Sequence, residues 1–395
     1  KTGDYLTAVT NGMWVKTRFV YKSALRDVDD AAESNFYSRS STQAPSVKYP
    51  LVAENASTML VSDVYQSDAM GDEHHVSHTY EGLRSHVAGV GSLGFAKRIT
   101  TNMDTNIKTE IWYDQDYANF KQGTVTQLKT TAPNGVVLSD TKNTWKQVKM
   151  GGNARGIAGK RHRMDLMRTT VSKRDLDGAM LSHEANDYAY TNLGNARTLT
   201  TNVYAGPGSG AAMRTSITRN TWQTVANRGF SEQLMRADVE VTDVAGGSTK
   251  ERRMSTFQYD SNSGRKMSDQ IVDPSNNRMV TQTLYGANAA GQLQQDGFGN
   301  LLATTVKGLD FVARTESVKF DAAYGLQPIE SRDAMGHVTK HEYYGATAMG
   351  GGAYPGKLKM TTAPGGLKTL VEYDVFGRTA KTTSAYGTEA AVSAY

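Results

Sequence analysis

Hydrophobic residues occur along this chain in short stretches, separated by polar and charged positions. Lys368–Tyr373 and His337–Tyr343 show the pattern clearly, because they mix β-branched and aromatic residues between turn-forming residues. No stretch approaches the roughly 18 consecutive apolar residues that a membrane-spanning helix needs. The pattern predicts many short β-strands joined by turns, and no membrane span.

Aromatic residues recur at similar intervals in the last third of the chain. Four of the five gaps between them fall between 22 and 30 residues. This periodicity is typical of repeat proteins, in which each unit buries its apolar face against its neighbours. The aromatic positions are Tyr259, Tyr285, Phe320, Tyr343, Tyr373 and Tyr395.

A second element, Asp-x-x-Gly, repeats within these units at Asp296–Gly299, Asp333–Gly336 and Asp374–Gly377. Asp at the first position of a type I turn accepts hydrogen bonds from backbone N–H groups further along the turn. Gly at the fourth position takes the left-handed conformation that returns the chain as a hairpin. Looser copies occur at Tyr259–Arg265 and Tyr190–Asn195, so we expect the pattern to extend upstream in degraded form.

Composition agrees with this interpretation, since the chain has 38 Gly and 20 Tyr but only 8 Pro. We predict an all-β fold, a long curved antiparallel sheet of stacked β-hairpins. Residues 1–250 would form a divergent β-rich region, and residues 251–395 a regular repeat region that continues the same sheet. Three glycine-rich segments are predicted to be exposed loops: 151–159, 206–212 and 345–356.

Charge and cysteine content narrow the classes of function. The 395 residues carry 44 basic and 39 acidic side chains, spread along the chain, so the net charge of +5 gives little support for nucleic-acid binding. The absence of cysteine excludes disulfides and thiolate–metal sites. The first residues lack an apolar signal region and the last end inside the repeat pattern, so we expect a piece of a longer chain.

Candidate chemistry is sparse. His74, His75 and His78 could in principle ligate a metal, but their spacing does not match a zinc-enzyme motif. Gly89–Gly94 fits the dinucleotide glycine pattern only nominally, and a turn within a β-meander explains it better. The sequence therefore predicts no catalytic, cofactor-binding or metal site, and no enzyme.

The repeats resemble a known family. Tyr373-Asp-x-x-Gly-Arg378, with Phe320-Asp321 and Tyr259-Asp260, is similar to the Tyr-Asp (YD) repeat of Rhs proteins. The segment from Tyr80 through Gly89–Lys97 to Ile111–Asp114 resembles the middle region of the B component of bacterial insecticidal toxin complexes. The resemblance implies that repeats wind into a hollow β-shell, which holds an unfolded toxic polypeptide away from the cell that makes it.

Some features of that family have no counterpart. Its self-cleaving segment follows the last repeat, whereas Asp273-Pro274 lies between repeats, so we carry over no protease activity. The amino-terminal propeller of the toxin-complex protein is also missing from this sequence.

The resulting hypothesis is a non-catalytic shell segment, secreted or at the bacterial cell surface, that encloses a polypeptide cargo. Its partners would be the remainder of its own longer chain or other toxin-complex subunits, with no nucleic acid and no cofactor. The alternative is an extracellular YD-repeat module that binds glycans or proteins. The residues predicted to define the repeats are Tyr259, Asp260, Gly264, Arg265, Asp296, Gly299, Phe320, Asp321, Asp333, Gly336, Tyr343, Tyr373, Asp374, Gly377 and Arg378.

Overall fold

The computed structural model shows 28 β-strands and no helix in the residues that it describes. In this described part of the chain, no helix is long and apolar enough to cross a membrane. The predicted loop at 151–159 and the aromatic position Tyr395 lie outside the described residues. The structure describes the chain except for residues 1–4, 13–14, 25–35, 40–46, 55–58, 69–70, 151–160, 225–231, 244–249, 261–263, 289, 291, 293, 348–349 and 395.

The chain divides into two compact units. The first comprises residues 1–233 and 239–251, and the second comprises residues 234–238 and 252–395. One strand, β17 (Glu232–Asp243), contributes residues to both units. The sequence-based boundary after residue 250 was placed where the repeats become regular, and it stays a prediction.

Short strands of alternating direction build the first unit. Its strands are β1 (Ala8–Thr10), β2 (Lys16–Ser23), β3 (Tyr37–Ser38), β4 (Leu51–Ala53), β5 (Met59–Ser67), β6 (Glu73–Glu81), β7 (Arg84–His86), β8 (Gly91–Gly94), β9 (Lys97–Asn102), β10 (Lys108–Tyr113), β11 (Val125–Thr131), β12 (Val137–Met150), β13 (Arg161–Arg174), β14 (Met180–Tyr190), β15 (Ala196–Tyr204) and β16 (Arg214–Thr224).

Antiparallel pairing connects these strands in the order β1-β2-β5-β6-β9-β10, after which each strand to β16 pairs with the next in sequence. The short β3 adds to β6 in parallel, and β4, β7 and β8 form a separate three-stranded sheet. Gly89–Gly94, the nominal dinucleotide motif, forms the turn before β8 and β8 itself.

The second unit is a run of hairpins in which each strand from β18 to β28 pairs antiparallel with the next. The predicted all-β class and long antiparallel sheet are therefore confirmed. Its strands are β18 (Lys250–Tyr259), β19 (Lys266–Val272), β20 (Met279–Tyr285), β21 (Ala303–Gly308), β22 (Arg314–Phe320), β23 (Pro328–Arg332), β24 (Val338–Tyr343), β25 (Leu358–Thr362), β26 (Lys368–Tyr373), β27 (Thr379–Ser384) and β28 (Val392–Ala394).

Side chains in several strands of the sheet are only partly buried. In β9 and β11 every residue is half-buried, instead of alternating between buried and exposed as in a sheet packed on a core. The largest fully buried side chains among the described residues are Thr305 and Ser268. In these strands, neighbouring side chains within the sheet therefore supply most of the cover.

Candidate functional site: the stacked-turn edge

Consecutive hairpins place their turns alternately at the two edges of the sheet. In the second unit, the turns that follow β18, β20, β22, β24 and β26 share one edge, which we call the turn edge. The last strand residues before these turns are Tyr259, Tyr285, Phe320, Tyr343 and Tyr373. The aromatic period found in the sequence thus marks every second strand end, and all of these positions lie at one edge.

The turn edge comprises 260–265, 286–302, 321–327, 344–357 and 374–378, apart from the residues not described. It contains the predicted residues Asp260, Gly264, Arg265, Asp296, Gly299, Asp321, Asp374, Gly377 and Arg378. Asp333 and Gly336 belong to the turn between β23 and β24, at the opposite edge. The structure therefore separates one Asp-x-x-Gly copy from the rest. That these residues define the repeats stays a prediction.

The Asp-x-x-Gly spacing forms the turn that it predicts. The Asp374 carboxylate accepts hydrogen bonds from the backbone N–H groups of Phe376 and Arg378, both at 2.9 Å. The Gly377 N–H donates to the Asp374 carbonyl at 3.0 Å, and Gly377 has φ 77°, which favours glycine. Equivalent bonds and left-handed glycines occur in the turns that begin at Asp296 and Asp333.

These hydrogen bonds stabilise the ionised carboxylates. The backbone N–H of Arg378 lowers the pKa of Asp374, and this effect together with the Arg378 side chain outweighs the opposing effect of burial. In Asp333 the His337 side chain has the largest lowering effect on the pKa, and in Asp321 the backbone N–H of Gln327 does. The ionised aspartates thus stabilise individual turns at both edges of the sheet.

The first four turns of this edge are joined, each to the next, by hydrogen bonds. In each of these hydrogen bonds a side chain donates to a backbone carbonyl. The bonded residues are separated by 25 to 34 residues in sequence. The bonds are the Arg265 guanidinium to the Gly299 carbonyl, the Asn300 amide to the Gly325 carbonyl at 2.5 Å, and the Gln327 amide to the Gly356 carbonyl at 2.8 Å.

Two glycines permit this close approach of neighbouring turns. A Cβ on Gly325 would lie 2.4 Å from a ring carbon of Phe298, and one on Gly377 would lie 3.0 Å from the Tyr354 ring. Both glycines also have positive φ, 61° and 77°. Glycine is therefore required here for space as well as for backbone conformation, which the turn pattern alone does not indicate.

The strand-end tyrosines bind across the sheet through their hydroxyls. Tyr373 donates to the Leu358 carbonyl and Tyr343 to the Pro328 carbonyl, each at 3.0 Å. Burial raises the pKa of both tyrosines, so each hydroxyl keeps its proton and donates. Phe320 occupies the equivalent position without a hydroxyl. The tyrosines thus hold the strand ends in register.

The structure also reveals a duplication upstream that our sequence reasoning missed. The tripeptide Asn-Thr-Trp occurs at 143–145 and again at 220–222, and this recurrence was the available signal. In each copy, the Asn and Trp side chains donate to one shared backbone carbonyl. The donors and acceptors are Asn143 and Trp145 to Val125, at 3.1 and 2.8 Å, and Asn220 and Trp222 to Ala196, at 3.0 and 2.9 Å.

An ion pair on the following strand is repeated as well. The Arg163 Nε lies 2.6 Å from an Asp165 carboxylate oxygen, and the Arg236 Nε lies 2.6 Å from an Asp238 carboxylate oxygen. Both aspartates are buried, at 6% and 8% exposure. The hairpin repeat therefore continues into the region that the sequence showed only as divergent.

The three neighbouring histidines point to different partners. His74 contacts Asp104 at 3.0 Å, His75 contacts Asp63 at 2.8 Å, and His78 contacts Thr100 at 3.1 Å. Adjacent residues of a strand face opposite sides, so the ring of His75 lies across the sheet from the other two. Across the described ranges, no group of three or more His, Cys, Asp or Glu side chains is arranged to hold a metal.

The chain matches no protein-family profile and no curated protein. It is similar in fold to solved structures of TcdB2-TccC3. Against the form described as lacking the hypervariable C-terminal region, the TM-score is 0.65 at 10% identity, over 96% of this chain and 24% of that one. Against TcdB2-TccC3 itself, the TM-score is 0.61 at 9% identity, over 96% of this chain and 25% of that one. Against TcdB2-TccC3-Cdc42, the TM-score is 0.59 at 8% identity, over 94% of this chain and 24% of that one. This chain thus spans about a quarter of those chains and shares their fold.

Proposed function

We propose that this chain is a structural segment of a secreted, toxin-complex-like shell that encloses a polypeptide cargo. The observation that carries the proposal is the long antiparallel sheet of stacked hairpins, with strand ends fixed by tyrosines and stacked turns. A single layer with two half-buried faces is suited to separate two compartments, whereas a compact domain needs a second layer to bury its core.

Two independent lines support this proposal. The sequence resembles the YD repeats of Rhs proteins and the B component of insecticidal toxin complexes, and the fold is similar to that of TcdB2-TccC3 over nearly the whole chain. The likeness in fold supports a structural role in such a complex. Enclosure of cargo and secretion are inferred from the family resemblance.

The proposed role needs no catalysis by this chain. The turn aspartates are used in local hydrogen bonds, and the buried Asp165 and Asp238 are each paired with an arginine. Containment requires only that the wall excludes proteases and solvent from what it surrounds.

Protease protection of the cargo tests the proposal. The full-length protein that carries this chain is incubated with a broad-specificity protease, and survival of the cargo polypeptide is followed by mass spectrometry. We expect the cargo to survive while the wall is folded and to be degraded once urea unfolds the wall. Degradation of the cargo with the wall intact would contradict enclosure.

A second candidate, binding of glycans or proteins at the cell surface, is favoured by exposed aromatic rings on the turn edge. Phe298, Tyr324 and Phe376 are 55%, 73% and 75% exposed, and such rings are common in recognition surfaces. Saturable glycan binding that is lost in Phe376→Ala but retained in Leu367→Ala, at the opposite edge, would support this candidate over containment.

A further inference from the structure

The register of strands β23 to β27 separates charged from uncharged side chains. Side chains of directly paired residues share a face of the sheet, and successive residues alternate between faces. Seven of the eight Lys, Arg, Asp and Glu side chains of these strands lie on one face, which we call the charged face, and the exception is Lys359, at the register shift of β25. The side chains of the charged face are Glu330, Arg332, Lys340, Glu342, Lys368, Glu372 and Lys381.

The opposite face of the same strands, the hydroxyl face, has a different composition. Its directly paired residues are mainly Ser and Thr, with one His, two Tyr and aliphatic side chains. Within it, the Ser331 hydroxyl and His341 Nε2 are 2.9 Å apart, so polar groups bind one another. The members are Ser331, Thr339, His341, Tyr343, Leu358, Thr361, Thr369, Val371, Tyr373, Thr379 and Thr382.

Exposed charged side chains are concentrated on the charged face, whereas half-buried residues occur on both faces. Arg332, Lys340, Glu342 and Lys368 of the charged face are exposed, as expected for a surface in contact with water. Thr339, Thr361 and Thr369 of the hydroxyl face are half-buried, and Thr379 at its end is exposed. Charge separation of this kind is not needed to form the sheet, because strand pairing requires only the backbone.

The chemistry of the hydroxyl face fits an extended polypeptide of any sequence. Ser and Thr hydroxyls both donate and accept hydrogen bonds, so they can replace water around peptide groups. With Lys359 as its one fixed charge, this face has little electrostatic preference for cargo of either sign. A charged wall would instead form ion pairs with cargo of opposite charge and hinder its release.

Building on the proposed function, we infer that the hydroxyl face of β23–β27 lines the enclosed compartment and contacts an unfolded polypeptide, while the charged face meets external solvent. The occupant is one extended polypeptide chain, recognised through its backbone.

Strand β25 offers a matched pair for the test. Thr361 and Thr362 are adjacent, of the same type and both half-buried, but Thr361 pairs with His341 on the hydroxyl face and Thr362 pairs with Lys340 on the charged face. The 395 residues of this chain include no cysteine, so Thr361→Cys and Thr362→Cys each introduce a single thiol into it. Both variants are made in the full-length protein and labelled with a polymer-linked maleimide, relative to labelling in denaturant.

We expect labelling at Thr362→Cys and loss of labelling at Thr361→Cys until the protein is unfolded. The reverse pattern would overturn the assignment of the faces and leave enclosure standing. Labelling of both thiols would contradict both the assignment and enclosure. Protection of both thiols would overturn the assignment, because the charged face would then be covered as well.

Discussion

The beginning of the first unit and the turn edge of the second unit hold their strands by contrasting means. In the first, Phe36, Tyr37 and Leu83 form a buried hydrophobic cluster, with Phe36 packed edge-on against Tyr80 at 5.7 Å between ring centroids. In the second, strand ends are held by exposed turns, glycines and tyrosine hydroxyls. The contrast indicates that burial stabilises the former and local hydrogen bonding the latter.

Carboxylates illustrate the same contrast. Glu110 is 6% exposed and lies 2.6 Å from the Lys97 ammonium and 3.1 Å from that of Lys129. Burial would raise its pKa, but hydrogen bonds from Lys97 and Lys129 outweigh this and lower the pKa to about 2. Asp374, in contrast, obtains its lowered pKa mainly from the backbone of its own turn. One carboxylate joins three strands, and the other forms one turn.

The largest effect is expected in the hydrophobic cluster. Phe36→Ala should lower the free energy of unfolding by about 3–5 kcal/mol, since it removes a buried ring and leaves a cavity. Urea unfolding followed by circular dichroism measures the change. Phe376→Ala, which removes a 75% exposed ring, is the control and should change stability by about 0.5 kcal/mol or less. Equal losses would remove the contrast between the two regions.

Glu110→Gln should cost about 2–3 kcal/mol at neutral pH, because it removes the buried carboxylate charge that Lys97, Lys108 and Lys129 share. The folded-state pKa of about 2 lies below the ordinary 4.5, so the stabilisation is complete above 4.5 and disappears as the pH falls towards 2. The difference between the two proteins should therefore shrink over that interval. A difference that is constant with pH would show that the charge of Glu110 does not stabilise the fold.

Two glycine substitutions distinguish turn conformation from turn stacking. Gly377→Ala and Gly366→Ala both place a Cβ at positive φ, 77° and 84°, which costs about 1–2 kcal/mol. Only the Cβ at 377 meets a neighbour, the Tyr354 ring, whereas nothing lies within 4 Å of the one at 366. Gly377→Ala should thus be the more destabilising, as measured by urea midpoints. Identical midpoints would show that stacking at this edge contributes nothing.

The smallest effect is expected for a turn aspartate. Asp374→Ala removes the acceptor for two backbone N–H groups and should lower the urea midpoint slightly at neutral pH. Because the pKa of Asp374 is lowered, this difference should shrink as the pH falls from the ordinary 3.8 through the lowered pKa. Asp310→Ala, in the loop between β21 and β22, is the control. A loss as large for Asp310→Ala would argue against a specific role of the turn.

Much of the fold follows from local sequence signals. Asp374 and Gly377 specify their own turn, because the bonds involved lie within five residues. Short strands between such turns leave an antiparallel sheet as the simple arrangement. The hairpin architecture was therefore predictable from pattern alone.

Features that depend on which strands become neighbours were not predictable. Asp333 lies at the opposite edge because three strands, β21 to β23, separate its turn from the turn at Asp296. The Glu110 network needs β9 and β11 on either side of β10. The Asn-Thr-Trp duplication was visible as a repeated tripeptide, but its shared carbonyl acceptor depends on strand register.

The central claim, that this chain forms part of a hollow wall, is tested most directly by an electron-microscopy map of the full-length protein. The account predicts that residues 252–395 form one layer of a curved sheet around a cavity, with density for a polypeptide on the side of Thr361. A compact two-layer sandwich, in which both faces of these strands are packed against protein and no cavity is enclosed, would contradict it.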